Sequence, residues 1–403
     1  ATSIVVWLTL GFAMGLTRGF CIHISQAYGK KDYHLVNRGF FVASVLSLIV
    51  GAMISIVGSL AIRDFLILMH TPGEILEQSL DYIKVILLGF VITVLNNLFM
   101  SVLQSLGDSS TPFWALLVSS VTNIGLDCVF VLTLKWGVQG AAAATVLSQV
   151  FSFAICAAGL KRLKFVSILD GSKSKNARLT VRMLKTGLPV GIMSMVTAVG
   201  GMILQFFVND LGASAVAAYA ASTKIRSVIG EFSNAMGMTF MTFVGQNYGA
   251  QKYDRIKAGV RMGVLLSILI HIPLSAVEIF GGKRIASLMV TDPPVLELCR
   301  QYLLIVGIFV FFLGFLMVFR NCIQGMGNTW IPMLSGGLEV FSRLIFGYWL
   351  GRHSFMGVAA AEASAWISVS IMLGSSFFIL FRKVLRTQTP ENTTDTKNIR
   401  TVS

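Results

Sequence analysis

The chain has 403 residues, of which 55% are hydrophobic and 12% are charged, whereas soluble domains carry about 25% charged residues. This composition excludes a sizeable soluble domain and is typical of a protein that lies within a membrane. The formal net charge of +14 does not indicate nucleic-acid binding, because no basic segment forms a folded polar module, and basic residues collect in the cytoplasmic loops of membrane proteins.

Five apolar segments in the first part of the chain are long enough to cross a bilayer, which takes about 20 residues. They are residues 3–27, 39–62, 82–104, 112–134 and 138–160. Pro112 opens the fourth segment at the first-turn position that a helix tolerates. We therefore predict five membrane-spanning helices in this part of the chain.

Strongly polar side chains lie deep within three of these segments. Asn123 and Asp127 are four residues apart in the fourth segment, so they share one helix face. Asn97 lies in the third segment, and Thr145 follows a run of small residues in the fifth. Burying such groups is costly, and hard oxygen ligands suit a hard cation, so these four residues are a candidate H⁺ or Na⁺ site. The alternative is a hydrogen-bonded patch that only holds helices together.

A stretch rich in Gly, Ser and Lys separates the two parts of the chain, and a polar tail follows the last apolar segment. We predict an N-lobe at residues 1–165, a cytoplasmic linker at 166–185, a C-lobe at 186–385 and a disordered cytoplasmic tail at 386–403. The C-lobe holds six apolar segments, which are residues 186–209, 216–245, 259–281, 301–324, 330–350 and 355–381. Pro273 lies inside the third of these and should bend it.

Several charged residues lie in or near the apolar segments of the C-lobe. Glu339 precedes Arg343 by four residues, the favourable order for an intrahelical pair, and we interpret the two as a neutralised structural pair. Lining of a transport cavity is the alternative. The remaining charges, to which the sequence assigns no partner, are Lys224, Arg226, Glu231, Arg320 and Glu362.

Residues 1–149 repeat at positions 221–369, with a shift of 220 residues and no gap. The shift pairs Gln26 with Gln246, for example, and we interpret both glutamines as helix-terminating residues. Adding 220 to the four candidate-site residues gives Met317, Arg343, Gly347 and Ala365. Because structural contacts should tend to persist in both halves, the loss of the polar set from the second half favours a specialised site in the first.

The segment 186–209 precedes the second unit of the repeat, and its counterpart would lie before residue 1. We therefore expect that the intact protein has twelve spans and that this chain lacks the first. An even number of spans per unit makes both units cross the membrane in the same direction. The predicted fold is an all-α polytopic membrane protein of two six-helix bundles, the first reduced to five helices, related by a pseudo-two-fold axis along the membrane normal.

Basic residues are concentrated on one side of this topology. Residues 161–185 carry eight Lys and Arg, and the loops after the first and seventh spans and the tail add more. By the positive-inside rule this side is cytoplasmic. We therefore predict a multi-pass protein of the cell membrane with a cytoplasmic C-terminus.

Several motifs make the chain closely similar to the multidrug and toxic compound extrusion (MATE) family over nearly its whole length. They include Gln26-Ala27-Tyr28-Gly29 with Gln246-Asn247-Tyr248-Gly249, Leu103-Gln104-Ser105-Leu106-Gly107-Asp108, Asn123-Ile124-Gly125-Leu126-Asp127 and Gly187-Leu188-Pro189. The resemblance implies two six-helix lobes around a central cleft that opens alternately to each side of the membrane.

The resemblance also implies a cation site in the N-lobe. The matching residues are Asn97, Asn123, Asp127 and Thr145, and a first-helix Asp of the family would lie before residue 1. The C-lobe helices that carry coupling acids in some members have no acid here apart from Glu231, a weak candidate. The resemblance is therefore to the bacterial and archaeal branch related to the DNA-damage-inducible F proteins.

The expected function is secondary active antiport that exports amphipathic, often cationic, drugs or toxic compounds in exchange for H⁺ or Na⁺. We expect no cofactor beyond this coupling ion, no metal beyond Na⁺ at the same site, a small xenobiotic substrate, contact with membrane lipid, no nucleic acid and a monomeric state. The residues that contact substrate are not predicted.

Two other functions remain open at this stage. A lipid or lipid-linked oligosaccharide flippase of the same superfamily would need a strongly basic cleft, and Arg320 and Arg343 hint at one. An intramembrane enzyme would need a nucleophile with a base or a metal cluster, and the scattered histidines do not provide that spacing. We therefore do not expect an enzyme.

Overall fold

The computed structural model describes residues 2–68, 73–167, 170–171 and 177–386, and this part of the chain is helical without β-strands. The helices of the first half are α1 (Thr2–Gly29), α2 (Tyr33–Leu68), α3 (Gly73–Leu88), α4 (Phe90–Ser105), α5 (Ser110–Asp127) and α6 (Gly137–Arg162). Those of the second half are α7 (Ala177–Asp210), α8 (Ala213–Gly249), α9 (Tyr253–Ala276), α10 (Gly282–Ala286), α11 (Pro293–Gly325), α12 (Trp330–Phe346) and α13 (Phe355–Arg386). The predicted tail lies outside the described residues from position 387 onward.

Helices occupy every apolar segment predicted from the sequence. Among the described residues, seven helices are long and apolar enough to cross a membrane, or eight if the bent pair α3 and α4 forms one span. The protein is therefore an all-α polytopic membrane protein. The pseudo-two-fold axis, the lobe boundaries and the full number of spans stay predictions.

The third predicted span differs from the prediction because it is divided into α3 and α4. The two helices meet at Gly89 with a bend of 49°. A Cβ at position 89 would lie 2.4 Å from the Val146 side chain of α6. Glycine therefore lets α6 approach at the point where the span bends.

Three π-helical segments interrupt the regular helices in the described residues. They follow α5, α9 and α12 at Cys128–Thr133, Val277–Gly281 and Gly347–Gly351. Pro273 lies inside α9, one turn before the second of these segments. The first and third occupy overlapping positions of the 220-residue repeat, so the two halves share this irregularity.

The turns at the end of equivalent helices also repeat. Lys31 and Gln251 have φ values of 61° and 57°, and Gly107 and Gly327 have φ values of 94° and 91°. Each pair is separated by 220 positions. The sequence repeat is therefore a repeat of backbone conformation, including left-handed positions that L-residues rarely adopt.

The two halves meet mainly through α1, which packs against α7 and α8. The second half has its own apolar core around Trp366, Tyr302 and Leu303, and the first half has a smaller core around Leu16, Phe20 and Leu103. Helix α7 begins at Ala177, so it includes the last part of the predicted linker. Residues 168–169 and 172–176 of that linker lie outside the described residues.

Candidate functional site

The candidate site of the first half is built on α5, whose start is held by a side chain. Asp108 accepts hydrogen bonds from the backbone N–H of Thr111 at 3.0 Å and from the Thr111 hydroxyl at 2.6 Å. Such a contact satisfies amide groups that a helix start leaves free. Asn123 and Asp127 lie at the other end of α5, in its last two turns and directly before the π-helical segment Cys128–Thr133.

Asn123 and Asp127 carry buried polar atoms without protein partners. The Asn123 Nδ2 and the Asp127 Oδ1 form no hydrogen bond with any described residue. Both side chains are half-buried. Because the great majority of buried side-chain polar atoms have a partner, an unsatisfied donor and acceptor one turn apart need an explanation, such as an ion or a second conformation.

The other two candidate residues are satisfied within their own helices. The Asn97 amide donates to the Thr93 carbonyl at 2.9 Å in α4, and the Thr145 hydroxyl donates to the Ala141 carbonyl at 3.0 Å in α6. In each, the side-chain oxygen keeps lone pairs for a further ligand.

The helices that carry the four residues pack together. Ser119 of α5 donates to the Ser148 carbonyl of α6 at 3.0 Å, and Gly89 brings the start of α4 against α6. No hydrogen bond joins any two of the four side chains in the described part of the chain, so their convergence on one ion stays a prediction. The donor set of a carboxylate, two amides and a hydroxyl fits H⁺ or a hard cation.

The second half holds a buried ionic network whose extent the sequence did not reveal. Arg226 of α8 lies 3.0 Å from Glu362 of α13, and Arg343 of α12 lies 3.8 Å from the same carboxylate. Tyr302 of α11 donates a hydrogen bond to Glu362. Arg226 also lies over the Trp366 ring at 5.9 Å. Glu362 thus connects four helices through one buried carboxylate.

A second carboxylate, Glu339, extends this network. It lies 3.0 Å from Arg343 in its own helix, so the predicted intrahelical pair is confirmed, and also 3.0 Å from Arg320 of α11. Gly200 of α7 makes room for Arg343, because a Cβ there would lie 2.6 Å from its guanidinium. The sequence flagged these charges, but their partners lie on other helices and no spacing rule identifies them.

Gln26 and Gln246, interpreted from the sequence as helix-terminating residues, lie in the last turns of α1 and α8, and their side chains also join the two halves. The Gln26 amide donates to the Gly325 carbonyl at the end of α11, and the Gln246 amide donates to the Ser105 carbonyl at the end of α4, both at 2.9 Å. The two donors are 220 positions apart, and so are the two acceptors, so the bonds are equivalent under exchange of the halves. The signal was available in the repeat, which keeps glutamine at both positions.

Glycines bring the backbones of the two halves into direct contact at this junction. A Cβ at Gly29 would lie 1.9 Å from the Gln246 carbonyl oxygen, and one at Gly249 would lie 2.0 Å from the Gln26 carbonyl oxygen. Beside the junction lies a cavity of about 380 Å³ between Gln104 of α4 and one face of α8. The contact lies on the side of the basic loops and joins α1 and α8 there.

The chain matches known proteins over most of its length. A family model described as MatE matches residues 1–129 and 189–349. A probable multidrug resistance protein, YoeA of Bacillus subtilis, is 27% identical over 88% of this chain and 81% of its own length. A probable multidrug resistance protein, NorM of Thermotoga maritima, is 23% identical over 94% of this chain and 82% of its own length. A crystal structure of MATE in the bent conformation superposes with a TM-score of 0.88 at 23% identity, over 95% of this chain and 86% of that one.

Proposed function

The chain belongs to the MatE family of transporters, and we propose that it is a secondary active antiporter that exports amphipathic, often cationic, compounds in exchange for H⁺ or Na⁺. The relatives named as probable multidrug resistance proteins support small drug-like molecules as the substrates. Alternating access of a cleft between the two halves supplies the transport step.

The observation that carries the ion exchange is the unsatisfied pair on α5. Asp127 Oδ1 and Asn123 Nδ2 have no partners among the described residues, although both atoms are buried. A carboxylate in the membrane is expensive unless it is neutralised or has a pathway role. The Asn123 amide can donate to the carboxylate when no ion is bound, or turn its oxygen toward a bound cation.

The cycle follows from the cost of burying the charge. H⁺ or Na⁺ entering from the outer side neutralises Asp127 and removes that cost, which lets α4, α5 and α6 repack and biases the cleft toward a different shape. The exported compound leaves outward, and loss of the ion to the cytoplasm restores the charged site. The ion can shift the equilibrium only by its difference in affinity for the two shapes.

The flippase alternative is less well supported by this geometry. It would need free basic side chains in the cleft, but Arg320 and Arg343 both pair with Glu339 inside the second half. Arg226 pairs with Glu362 in the same network. The arginines that hinted at a basic cleft are therefore held in ion pairs with buried carboxylates.

The proposed orientation in the cell membrane places the basic loops and the C-terminus in the cytoplasm. Lys252 and Ser354 are both exposed and lie at opposite ends of the helices. In a Cys128→Ser background, an impermeant thiol reagent added outside should label a cysteine at Ser354 but not one at Lys252. Labelling only of the cysteine at Lys252 would show the opposite orientation in the membrane.

The function is tested with proteoliposomes of the full-length protein that contain ethidium as the fluorescent cation. Proton and sodium gradients are imposed separately, and efflux is followed by fluorescence. We expect one or both gradients to drive efflux, and the Asp127→Asn variant to fold but lose gradient-driven export. Asp64, an exposed acid of α2, provides the control variant Asp64→Asn, which should transport normally.

Unimpaired coupled efflux by a folded Asp127→Asn variant would refute the role of this carboxylate. If neither the proton gradient nor the sodium gradient drives efflux by a folded wild-type protein, antiport of this cation is refuted. The two outcomes separate the coupling site from the choice of substrate.

A further inference from the structure

The second half contains a buried carboxylate that takes no part in the ion pairs described above. Glu278 lies in the π-helical segment after α9, and only 1% of the residue is exposed. It packs against Gly307 of α11, where an added Cβ would lie 3.1 Å from the Glu278 Cβ. The glycine makes room for the carboxylate inside the helix bundle, away from the first-half site.

Neither oxygen of Glu278 forms a hydrogen bond with any described residue. The charged groups whose fields reach it are Arg226 of α8 and Glu362 of α13. Arg226 is already bound to Glu362 at 3.0 Å, and Tyr302 of α11 donates to the same carboxylate. Arg226 is therefore already paired with Glu362. The negative charge of Glu362 disfavours a negative charge on Glu278.

His271 is a further titratable group on this element, seven residues before Glu278 and about 10 Å away along the axis of α9. Its Nδ1 lies 2.7 Å from the Ser267 carbonyl oxygen and must carry hydrogen, since a carbonyl only accepts. Its Nε2 lies 2.8 Å from the Ser233 hydroxyl. His271 is satisfied by these neighbours and forms no bond to Glu278.

An ionised carboxylate without hydrogen bonds is strongly disfavoured in a low-dielectric interior, and such a group neutralises by binding a proton. From this environment we infer that the second half carries a proton-binding site of its own, in which the Glu278 carboxyl holds the proton and Arg226 is its alternative counter-ion. The inference goes beyond the proposed function, because the site is separate from Asp127 and does not need it.

The geometry also indicates how the proton would be released. The Arg226 Nε is buried and forms no hydrogen bond within the described part of the chain, so its guanidinium has unused donor capacity. If a change of shape separates Arg226 from Glu362, Arg226 can pair with Glu278 instead. The Glu278 O–H bond then breaks, the proton passes to water, and the carboxylate that remains is compensated by the guanidinium.

Infrared spectroscopy of the purified full-length protein tests the inference: the spectrum of each variant is subtracted from that of wild type at the same pH, and the C=O stretch of protonated carboxyl groups is read. We expect a band that is present in wild type and in Asp127→Asn but lost in Glu278→Gln. Glu297 is exposed and bonded to Arg300, so the control variant Glu297→Gln should keep the band. Glu278→Gln should also keep the wild-type unfolding midpoint, because an amide replaces a neutral carboxyl.

Identical spectra of wild type and Glu278→Gln would overturn the inference, because Glu278 would then be ionised throughout. Loss of the band in Asp127→Asn alone would also overturn it, while leaving the proposed function intact. If Glu278→Gln does not fold, Glu278→Asp decides: a shifted carboxyl band supports the proton site, and absence of the band shows an ionised structural group.

Discussion

The two halves repeat the same helices but differ at equivalent positions of α5 and α12. In the first half, Asn123 and Asp127 carry buried atoms that have no partner among the described residues. In the second half, position 343, the counterpart of Asn123, is an arginine that pairs with Glu339 and approaches Glu362. One scaffold therefore supports an unsatisfied polar site in one copy and an ion-paired network in the other.

The difference shows how a role is separated from a fold. Features that both halves keep, such as the glutamine bonds at the junction and the left-handed turns, belong to the shared architecture. Features that only one half keeps, such as the polar residues of α5, can serve a function specific to that half. Substitutions at these positions distinguish groups that support stability, the junction or ion binding.

The largest effect on stability is expected from Glu362→Ala in the second half. Removal of this buried carboxylate leaves Arg226 and Tyr302 without their partner, and breaking a buried ion pair costs about 3–5 kcal/mol. The measurement is the free energy of unfolding of the purified protein. Glu297→Ala is the control, because its ion pairs are exposed and should contribute about 1 kcal/mol or less. Equal effects of the two variants would contradict the distinction.

The next largest effect is expected at the junction, from Gly29→Ala and Gly249→Ala. Each added methyl group would overlap a backbone carbonyl of the other half, and overpacking of this kind costs about 1–3 kcal/mol. Gly201→Ala on α7 is the control, because no atom lies within 4 Å of its added Cβ. Alanine there should stabilise the helix by up to about 1 kcal/mol. The measurement is the thermal unfolding midpoint. If Gly201→Ala lowered it as much as Gly29→Ala and Gly249→Ala, the tight contact at the junction would be refuted.

A smaller and symmetric effect is expected from Gln26→Ala and Gln246→Ala. Each removes one hydrogen bond between the halves, worth about 1 kcal/mol, which shifts an opening equilibrium about fivefold. The measurement is the rate at which a thiol reagent labels a cysteine at Thr242, which lines the junction cavity. Both variants should raise this rate in a Cys128→Ser background.

Gln205→Ala provides the matched control for the junction glutamines, since the Gln205 amide bonds to Asn209 in its own helix. Its labelling rate should equal that of the parent protein. If only one of the two junction glutamines changed the rate, the symmetric role that the repeat implies would be refuted.

The smallest effect on stability is expected from Asn123→Ala in the first half. The Asn123 Nδ2 has no partner to lose, so the free energy of unfolding should change by about 1 kcal/mol or less. The same variant should weaken gradient-driven efflux of ethidium. Arg343→Ala at the equivalent position should instead destabilise the protein by about 3–5 kcal/mol. A destabilisation by Asn123→Ala as large as that of Arg343→Ala would show that both copies serve stability.

Much of the architecture was determined by the sequence itself, because its signals are local or linear. Runs of about 20 apolar residues identify helices that must satisfy their backbone groups within the membrane. The 220-residue shift relates the two halves, and the spacing of Glu339 and Arg343 identifies a pair on one helix. The candidate residues of α5 were also visible, because polar groups are rare and costly in such segments.

Only the tertiary structure decided which groups meet across helices. The pairing of Arg226 with Glu362, the bonds of Gln26 and Gln246 to the opposite half, and the isolation of Glu278 depend on how each helix is rotated and where it crosses its neighbours. A hydropathy pattern shows that a segment is apolar, but it does not determine which residue on another segment faces it. The bend at Gly89 has the same origin, since Gly89 lies where Val146 of another helix requires the space.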